Sequence, residues 1–142
     1  HEYVKDYDYI LIDLPPSLGL FTMNCLTAST EVMIPVQTEY HALAGFDLIM
    51  DSIELIQKNT NPDIEFSMLI PTMYSRNKRL NREVERTLRP ECGDKVSEVI
   101  IRENISLAEA PSYGKDIFSY APKSNGALDY MALSKQVDSN SK

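Results

Sequence analysis

The stretch that most constrains the fold is residues 7–19, which read YDYILIDLPPSLG. Residues 9–12 are all bulky apolar or aromatic, and such a run predicts a short strand buried on both faces of a parallel sheet. Pro15 and Pro16 cannot donate hydrogen bonds to a sheet, so the chain must leave it directly after Asp13. Asp13 is therefore predicted to lie at the carboxyl end of this strand.

The position of Asp13 suggests a binding role. Ligands of open α/β sheets bind just outside the carboxyl ends of the strands. A carboxylate at that place can hold Mg²⁺, directly or through water, opposite a nucleotide phosphate. An aspartate after a strand is also a common turn former or helix N-cap. The residue types alone leave both interpretations open.

The rest of the chain alternates between strand and helix patterns. Strands are predicted at residues 31–36, 64–72 and 96–101, with a brief edge strand at 117–118. Helices are predicted at residues 18–28 (with Ser17 as N-cap), 41–58, 80–90, 104–110 and 125–137. This order predicts one α/β domain over residues 1–142, built on a partial doubly wound parallel sheet with right-handed crossovers and helices on both faces.

Composition narrows the class of protein. Two cysteines in 142 residues are too few for a disulfide framework or a zinc site, which favours a reducing, cytoplasmic setting. No apolar run approaches the length of a membrane span. The sequence opens at His1 and enters a core-type strand within a few residues, so we expect a fragment whose amino-terminal part is missing. It contains no GxxxxGK[ST] phosphate loop.

Five short stretches carry a family resemblance when they are taken in order. They are residues 7–19 (hhhhDxPP), IPVQTEY at 34–40 followed by ALAG at 42–45, TMY at 72–74, LAEAPSYGK at 107–115, and PKSNGA at 122–127. Together they resemble the ParA/Soj branch of the deviant-Walker ATPases, in the MinD/ParA superfamily with its P-loop NTPase fold. The resemblance extends from residue 7 to about residue 137.

The resemblance implies a set of nucleotide-site residues. Asp13 would be the Walker B-like aspartate that supports Mg²⁺ through water, and Pro15 and Pro16 would open the switch segment that senses the γ-phosphate. The adenine would be held by two loops, with the residues Thr72, Met73, Asn104 and Pro111. Ordinary loop packing is the alternative interpretation for Met73 and Pro111.

This chain departs from the family pattern at two places. Many relatives carry proline and then arginine after the fourth strand, whereas residues 102–104 here read REN. The usual arginine three residues before Leu80 is replaced by Asn77, and either Arg76 or Lys78 could substitute for it.

A basic segment stands out against an acidic chain. Residues 76–89 hold six basic and two acidic side chains, a net charge of +4. Since the whole chain has a net charge of −7, the remaining residues carry a net charge of −11. Basic side chains that follow one another along a helix form a basic stripe, and such a stripe can neutralise several phosphates and give sequence-independent, salt-sensitive DNA binding. The alternative is a solvated helix face. The resemblance implies DNA contact here and near the end of the LAEAPSYGK motif, with the candidates Arg76, Lys78, Arg79, Arg82, Arg86 and Lys115.

The family resemblance implies a chromosome- or plasmid-partitioning ATPase. ATP and Mg²⁺ would be its cofactors, its ATP-bound form would be a homodimer on nonspecific nucleoid DNA, and a ParB/Spo0J-type partner would stimulate hydrolysis. Without a phosphate loop, this chain alone is expected to hydrolyse ATP negligibly. One alternative is a MinD-like membrane-positioning ATPase, which is disfavoured because the last helix lacks a basic amphipathic face. The other is a non-catalytic module that binds DNA or a partner.

Overall fold

The computed structural model describes residues 6–15, 19–37, 42–75 and 79–140. Its two strands are β1 (Glu31–Gln37) and β2 (Glu65–Thr72). The α-helices are α1 (Leu20–Ala28), α2 (Ala42–Asn59), α3 (Arg79–Cys92), α4 (Ile105–Glu109), α5 (Ile117–Tyr120) and α6 (Asn125–Asn140). Two 3-10 helices span Gly93–Lys95 and Ala110–Tyr113.

The two strands form a parallel pair connected by α2, as a βαβ unit requires. The register sets Glu31 opposite Glu65 and Gln37 opposite Thr72, with an irregularity between Val32 and Met33. β2 is the buried strand of the pair, since all but the two end residues and Ser67 are buried. The strands predicted at 31–36 and 64–72 are therefore confirmed.

Residues 96–103 run alongside the other edge of β2 without forming a continuous strand. Backbone hydrogen bonds join Ser97 N–H to the Leu69 carbonyl at 2.8 Å and Ile101 N–H to the Pro71 carbonyl at 2.9 Å. Pro71 has no N–H to return, and the N–H of Val99 donates to the Ser97 hydroxyl at 3.0 Å instead. The strand predicted at 96–101 is therefore wrong, because this segment makes only isolated bridges, at Val96 with Leu69 and at Arg102 with Tyr74.

Helices cover both faces of the sheet. One buried cluster contains Leu26 of α1, Ile53 of α2 and Leu88 of α3 together with Leu69 of β2. A second cluster contains Met68 and Ile70 of β2 with Ile101, and Leu107, Leu133 and Val137 from α4 and α6 pack against it. Because neighbouring strand residues point to opposite faces, these clusters lie on the two sides of the sheet. The predicted α/β fold class is confirmed.

The first predicted strand is wrong. Residues 9–12 form no strand, and their apolar side chains are exposed, up to 82% for Leu11. A strand buried on both faces needs a hydrogen-bonded neighbour and covering helices, and no described residue pairs with this segment. Asp13 consequently follows an exposed segment rather than a buried strand.

Local capping overturned two smaller predictions. Residues 117–118 belong to α5 rather than to an edge strand, because Asp116 caps this helix by accepting from the Ser119 N–H at 2.8 Å and from its hydroxyl at 2.6 Å. The N-cap of α1 is Gly19, which makes no side-chain bond, and the predicted cap Ser17 lies outside the described residues.

Several helix boundaries also differ from the predicted ones. α3 continues two residues beyond Pro90, and α6 continues to Asn140. The predicted loop after α4 begins as a 3-10 helix. Among the described helices, none combines the length and the apolar character needed to cross a membrane.

Close packing at Gly126 gives a test of the fold. A Cβ at Gly126 of α6 would lie 2.6 Å from Cγ of Leu107 on α4. We expect Gly126→Ala to lower the free energy of unfolding in urea by about 1–3 kcal/mol, because the Leu107 side chain must be displaced.

The matched control is Gly45→Ala in α2, where no described atom lies within 4 Å of the added methyl group. Alanine is favoured over glycine inside a helix, so this variant should gain up to about 1 kcal/mol. If both variants changed stability alike, the contact between α4 and α6 would be refuted.

Candidate functional site

Two loops meet at the carboxyl end of β2. Thr72 ends the strand half-buried, and Met73 follows with a positive φ of 54° and an exposed side chain. Tyr74 then donates its N–H to the Ile101 carbonyl at 3.1 Å and accepts from the Glu103 N–H at 3.0 Å. A left-handed conformation costs a non-glycine residue about 1–2 kcal/mol. Met73 retains it between two residues whose backbones are fixed by the sheet.

The second loop leads directly into a capped helix. Asn104 is the N-cap of α4, where its side-chain oxygen accepts from the Ser106 N–H at 2.9 Å. Because the Glu103 N–H donates to the Tyr74 carbonyl, the loop that leads into Asn104 lies beside the loop that contains Thr72 and Met73. Pro111 lies further along, exposed at the start of the 3-10 helix after α4.

A partly exposed ion pair joins this second loop to α6. Asp129 is buried, and its carboxylate accepts from the Arg102 side chain at 2.6–3.2 Å. The same carboxylate accepts from the backbone N–H of Arg102 at 3.0 Å. Both the side chain and the main chain of Arg102 are therefore attached to one acidic group.

The ion pair shifts the pKa of both partners. Burial acts to raise the pKa of Asp129, but the side-chain and backbone hydrogen bonds from Arg102 outweigh it, and the pKa is lowered. The hydrogen bond to Asp129 raises the pKa of Arg102. Both groups are therefore ionised at neutral pH.

Sequence reasoning missed the pairing of Arg102 with Asp129. A usable signal was present in α6, since Asp129, Leu133 and Val137 recur at four-residue steps on one helix face. Leu133 and Val137 pack against the core. An aspartate on that buried face needs a charged or hydrogen-bonding partner.

Asp13 lies elsewhere in the described structure. It is exposed and lines two grooves beside β1, together with Glu31 and Met33. Neither groove includes any of the predicted adenine-side residues, which are Thr72, Met73, Asn104 and Pro111. Pro15 is exposed, and Pro16 lies outside the described residues. The role of Asp13 in holding Mg²⁺ remains a prediction.

The basic segment corresponds mainly to α3. Arg86 and Arg89 are exposed on either side of Leu88, whose side chain enters the core. The backbones of Arg79 and Arg82 belong to α3, but their side chains lie outside the described part, as do Arg76 and Lys78 entirely. Lys115 is exposed and follows Gly114, which has a φ of 61°. The helix predicted for the basic stripe is confirmed.

The chain is similar to several known proteins. A family model described as "AAA domain" matches residues 1–66. Sporulation initiation inhibitor protein Soj of Bacillus subtilis is 44% identical over 136 residues, which cover 96% of this chain and 54% of that protein. Chromosome partitioning protein ParA of Myxococcus xanthus is 40% identical over 132 residues, covering 93% of this chain and 47% of that protein.

The fold also matches a solved structure. Cobyrinic acid a,c-diamide synthase from Mycobacterium smegmatis, crystallised with bound ADP and magnesium, superposes with a TM-score of 0.75 at 28% identity. The match covers 96% of this chain and 48% of that chain.

These similarities and the α/β architecture place the chain among proteins with the P-loop NTPase fold. Within this class, the chain is similar to the chromosome-partitioning proteins named Soj and ParA, with 40–44% identity over nearly all its length. The chain spans about half the length of the curated relatives it matches.

The lowered pKa of Asp129 predicts how stability depends on pH. An aspartate with a depressed pKa stabilises the folded state above its unfolded value, near 3.8, and this contribution is lost as the pH falls through the folded value. We expect Asp129→Asn to be less stable by about 1–3 kcal/mol at neutral pH. The difference should hold down to about pH 5 and shrink below about pH 4.

Urea unfolding at a series of pH values measures this difference. The control is Asp63→Asn, which alters an exposed aspartate in the turn after α2. A difference between wild type and Asp129→Asn that stayed constant down to about pH 2 would show that ionised Asp129 does not stabilise the fold.

Proposed function

We propose that this chain forms the base-binding and DNA-contacting part of a ParA/Soj-type partitioning ATPase. The observation that carries the proposal is the backbone connection of Tyr74 to Ile101 and Glu103, which joins two loops at the carboxyl end of β2. Ligands of open α/β sheets bind at this end. The similarity to Soj and ParA, at 44% and 40% identity over 96% and 93% of this chain, supports the proposal.

The nucleotide would place its base against these two loops. Met73 offers an exposed thioether, which adapts to a flat apolar ring, and Thr72, Asn104 and Pro111 would complete the adenine side. Two similar solved structures of cobyrinic acid a,c-diamide synthase contain ADP with magnesium and an ATP analogue with magnesium. ATP with Mg²⁺ is therefore the nucleotide that we assign to this chain.

Magnesium would be held on the Asp13 side. Mg²⁺ takes one or two protein carboxylates and fills its remaining positions with water and phosphate oxygens. The exposed carboxylate of Asp13 is a ligand of the kind that Mg²⁺ takes in proteins. When bound, the ion would neutralise charge on the β- and γ-phosphates. Pro15 and Pro16 would begin the adjoining switch segment.

The DNA surface would be the basic stripe of α3. Arg86 is exposed, and Arg79 and Arg82 precede it by seven and four residues on the same helix, with Arg76, Lys78 and Lys115 as further candidates. Concentrating cationic charge on one helix of an acidic chain would confine phosphate contact to that surface. The binding would be independent of sequence and sensitive to salt.

The assembled protein would act as a switch in the cytoplasm. ATP would drive formation of a homodimer that binds nucleoid DNA, and a ParB-type partner would stimulate hydrolysis and release. A non-catalytic module that binds DNA or a partner is the second candidate, because residues 1–142 contain no GxxxxGK[ST] loop. The two candidates differ in ATP hydrolysis by the full gene product.

The first test concerns Asp13. In the full gene product, Asp13→Asn should lower Mg²⁺-dependent ATP hydrolysis by about 100-fold or more. The reason is that Asp13 would help to hold the Mg²⁺ that neutralises the charge developing on the phosphates. Phosphate release measures the rate, and Asp63→Asn is the control.

The 142-residue chain alone should hydrolyse ATP negligibly, since it lacks the phosphate loop and its lysine. A full gene product without ATPase activity would favour the non-catalytic module. Unchanged hydrolysis in Asp13→Asn would refute the role of this aspartate.

The second test concerns DNA. Arg82→Glu combined with Arg86→Glu should weaken gel-shift binding to random-sequence DNA and lower the slope of log K against log salt by about 2, one unit for each lost phosphate contact.

The control is Lys58→Glu combined with Lys135→Glu, which changes the net charge equally at exposed sites on α2 and α6. Equal losses of binding in the two double variants would mean that total charge, and not the α3 stripe, determines affinity.

A further inference from the structure

Asp129 is a buried carboxylate that has no part in the nucleotide and DNA roles proposed above. Among the described residues it is the acidic side chain that the fold buries, at 8% exposure. Its carboxylate accepts hydrogen bonds from the backbone N–H and the guanidinium of Arg102. Arg102 therefore connects Asp129 to the loop that follows residue 101.

The contact fixes the main chain of residue 102 as well as its side chain. The Arg102 N–H donates to Oδ2 of Asp129 at 3.0 Å, while Nε and one terminal nitrogen of the guanidinium reach the same carboxylate. A planar guanidinium that meets a carboxylate through two donors has little freedom to rotate. The backbone at residue 102 is thus held at a set position relative to α6.

The fixed residue is also paired with the other loop. Arg102 lies opposite Tyr74 in a parallel bridge, and the Glu103 N–H donates to the Tyr74 carbonyl at 3.0 Å. Tyr74 directly follows Met73, the non-glycine residue with a positive φ among the described residues. Asp129 therefore influences both loops at the end of β2 through one hydrogen-bonded connection.

Stability alone gives a weak reason for a charged pair at this place. The adjacent cluster is apolar, with Ile101 buried and Leu133 and Val137 packed against it. Since the Arg102 side chain is 40% exposed, solvent also screens the attraction between the two charges. An apolar contact is non-directional, however, and would leave the position of the residue 102 backbone less defined.

We propose that Asp129, acting through Arg102, is a positioning residue that fixes loop 101–104 against loop 72–74 in the geometry that recognises the base. This inference rests on the proposed nucleotide-binding function.

The test compares two ways of removing the pair in the full gene product. Arg102→Leu combined with Asp129→Leu removes the directional contact and leaves no unpaired buried charge. We expect its urea midpoint to stay within about 0.5 M of wild type. Its Kd for Mg²⁺ with methylanthraniloyl-labelled ATP should rise about 10- to 100-fold, because the loops are misplaced. Its preference for the labelled ATP over labelled GTP should fall.

A milder variant covers the case in which the double variant does not fold. Asp129→Asn keeps an oxygen for the Arg102 N–H and loses the charge-assisted fork, so a smaller loss of base preference is expected. The control is Glu54→Gln combined with Lys58→Met, which removes an exposed ion pair of 2.8 Å on α2. It should leave both nucleotide affinities unchanged.

The outcomes separate the inference from the function beneath it. If wild type binds the labelled nucleotides and the leucine pair, or Asp129→Asn where that pair is unfolded, keeps the wild-type affinity and base preference, the pair is structural and the positioning role is overturned. If wild type binds neither nucleotide, the proposed function itself fails and the inference fails with it.

Discussion

The architecture depends on hydrogen bonding along both edges of β2. One edge pairs with β1 in a regular parallel register, and the other receives N–H donors from Ser97 and Ile101. Because its side chains are buried on both faces, β2 also joins the two hydrophobic clusters and so holds α1, α2 and α3 on one side and α4 and α6 on the other. Displacing this strand would separate the two layers of helices.

Pro71 makes the second edge of β2 different from the first. In a parallel pair, the N–H and C=O of one residue point toward the same neighbouring strand. Pro71 accepts from Ile101 but has no N–H to donate, and Val99 turns to the Ser97 hydroxyl and the Gln136 side chain. The interruption separates an amino-terminal bridge at Val96 from a carboxyl-terminal bridge at Arg102. The second of these bridges is where the two loops at the carboxyl end of β2 are joined.

Charge is used in two distinct ways in this molecule. On α3, repeated arginines give a cationic helix on an otherwise acidic chain, exposed at Arg86 and Arg89, which suits a partner recognised by its phosphates alone. At Arg102 and Asp129, the charges are removed from much of the solvent and are directed at each other. Exposed charge of the first kind attracts a polyanion from a distance, whereas the paired charge of the second kind determines a local geometry.

The sequence by itself determined the features that depend on short-range pattern. The apolar runs of β1 and β2, the periodicity of α2 and the order of the family motifs each lie within one segment, and all were predicted. Tertiary structure decided the features that need a distant partner. The exposed segment 9–12 has a strand's composition without a described neighbour to pair with.

The candidate site divides in the same way. Thr72, Met73 and Asn104 were predicted from motifs, and the structure brings their loops together. The positive φ of Met73 and the bond from Arg102 to a carboxylate 27 residues away were not predictable from local pattern. The physical reason is that side-chain identity specifies which bonds a residue can make, while only the packed chain brings the two ends of a bond within reach.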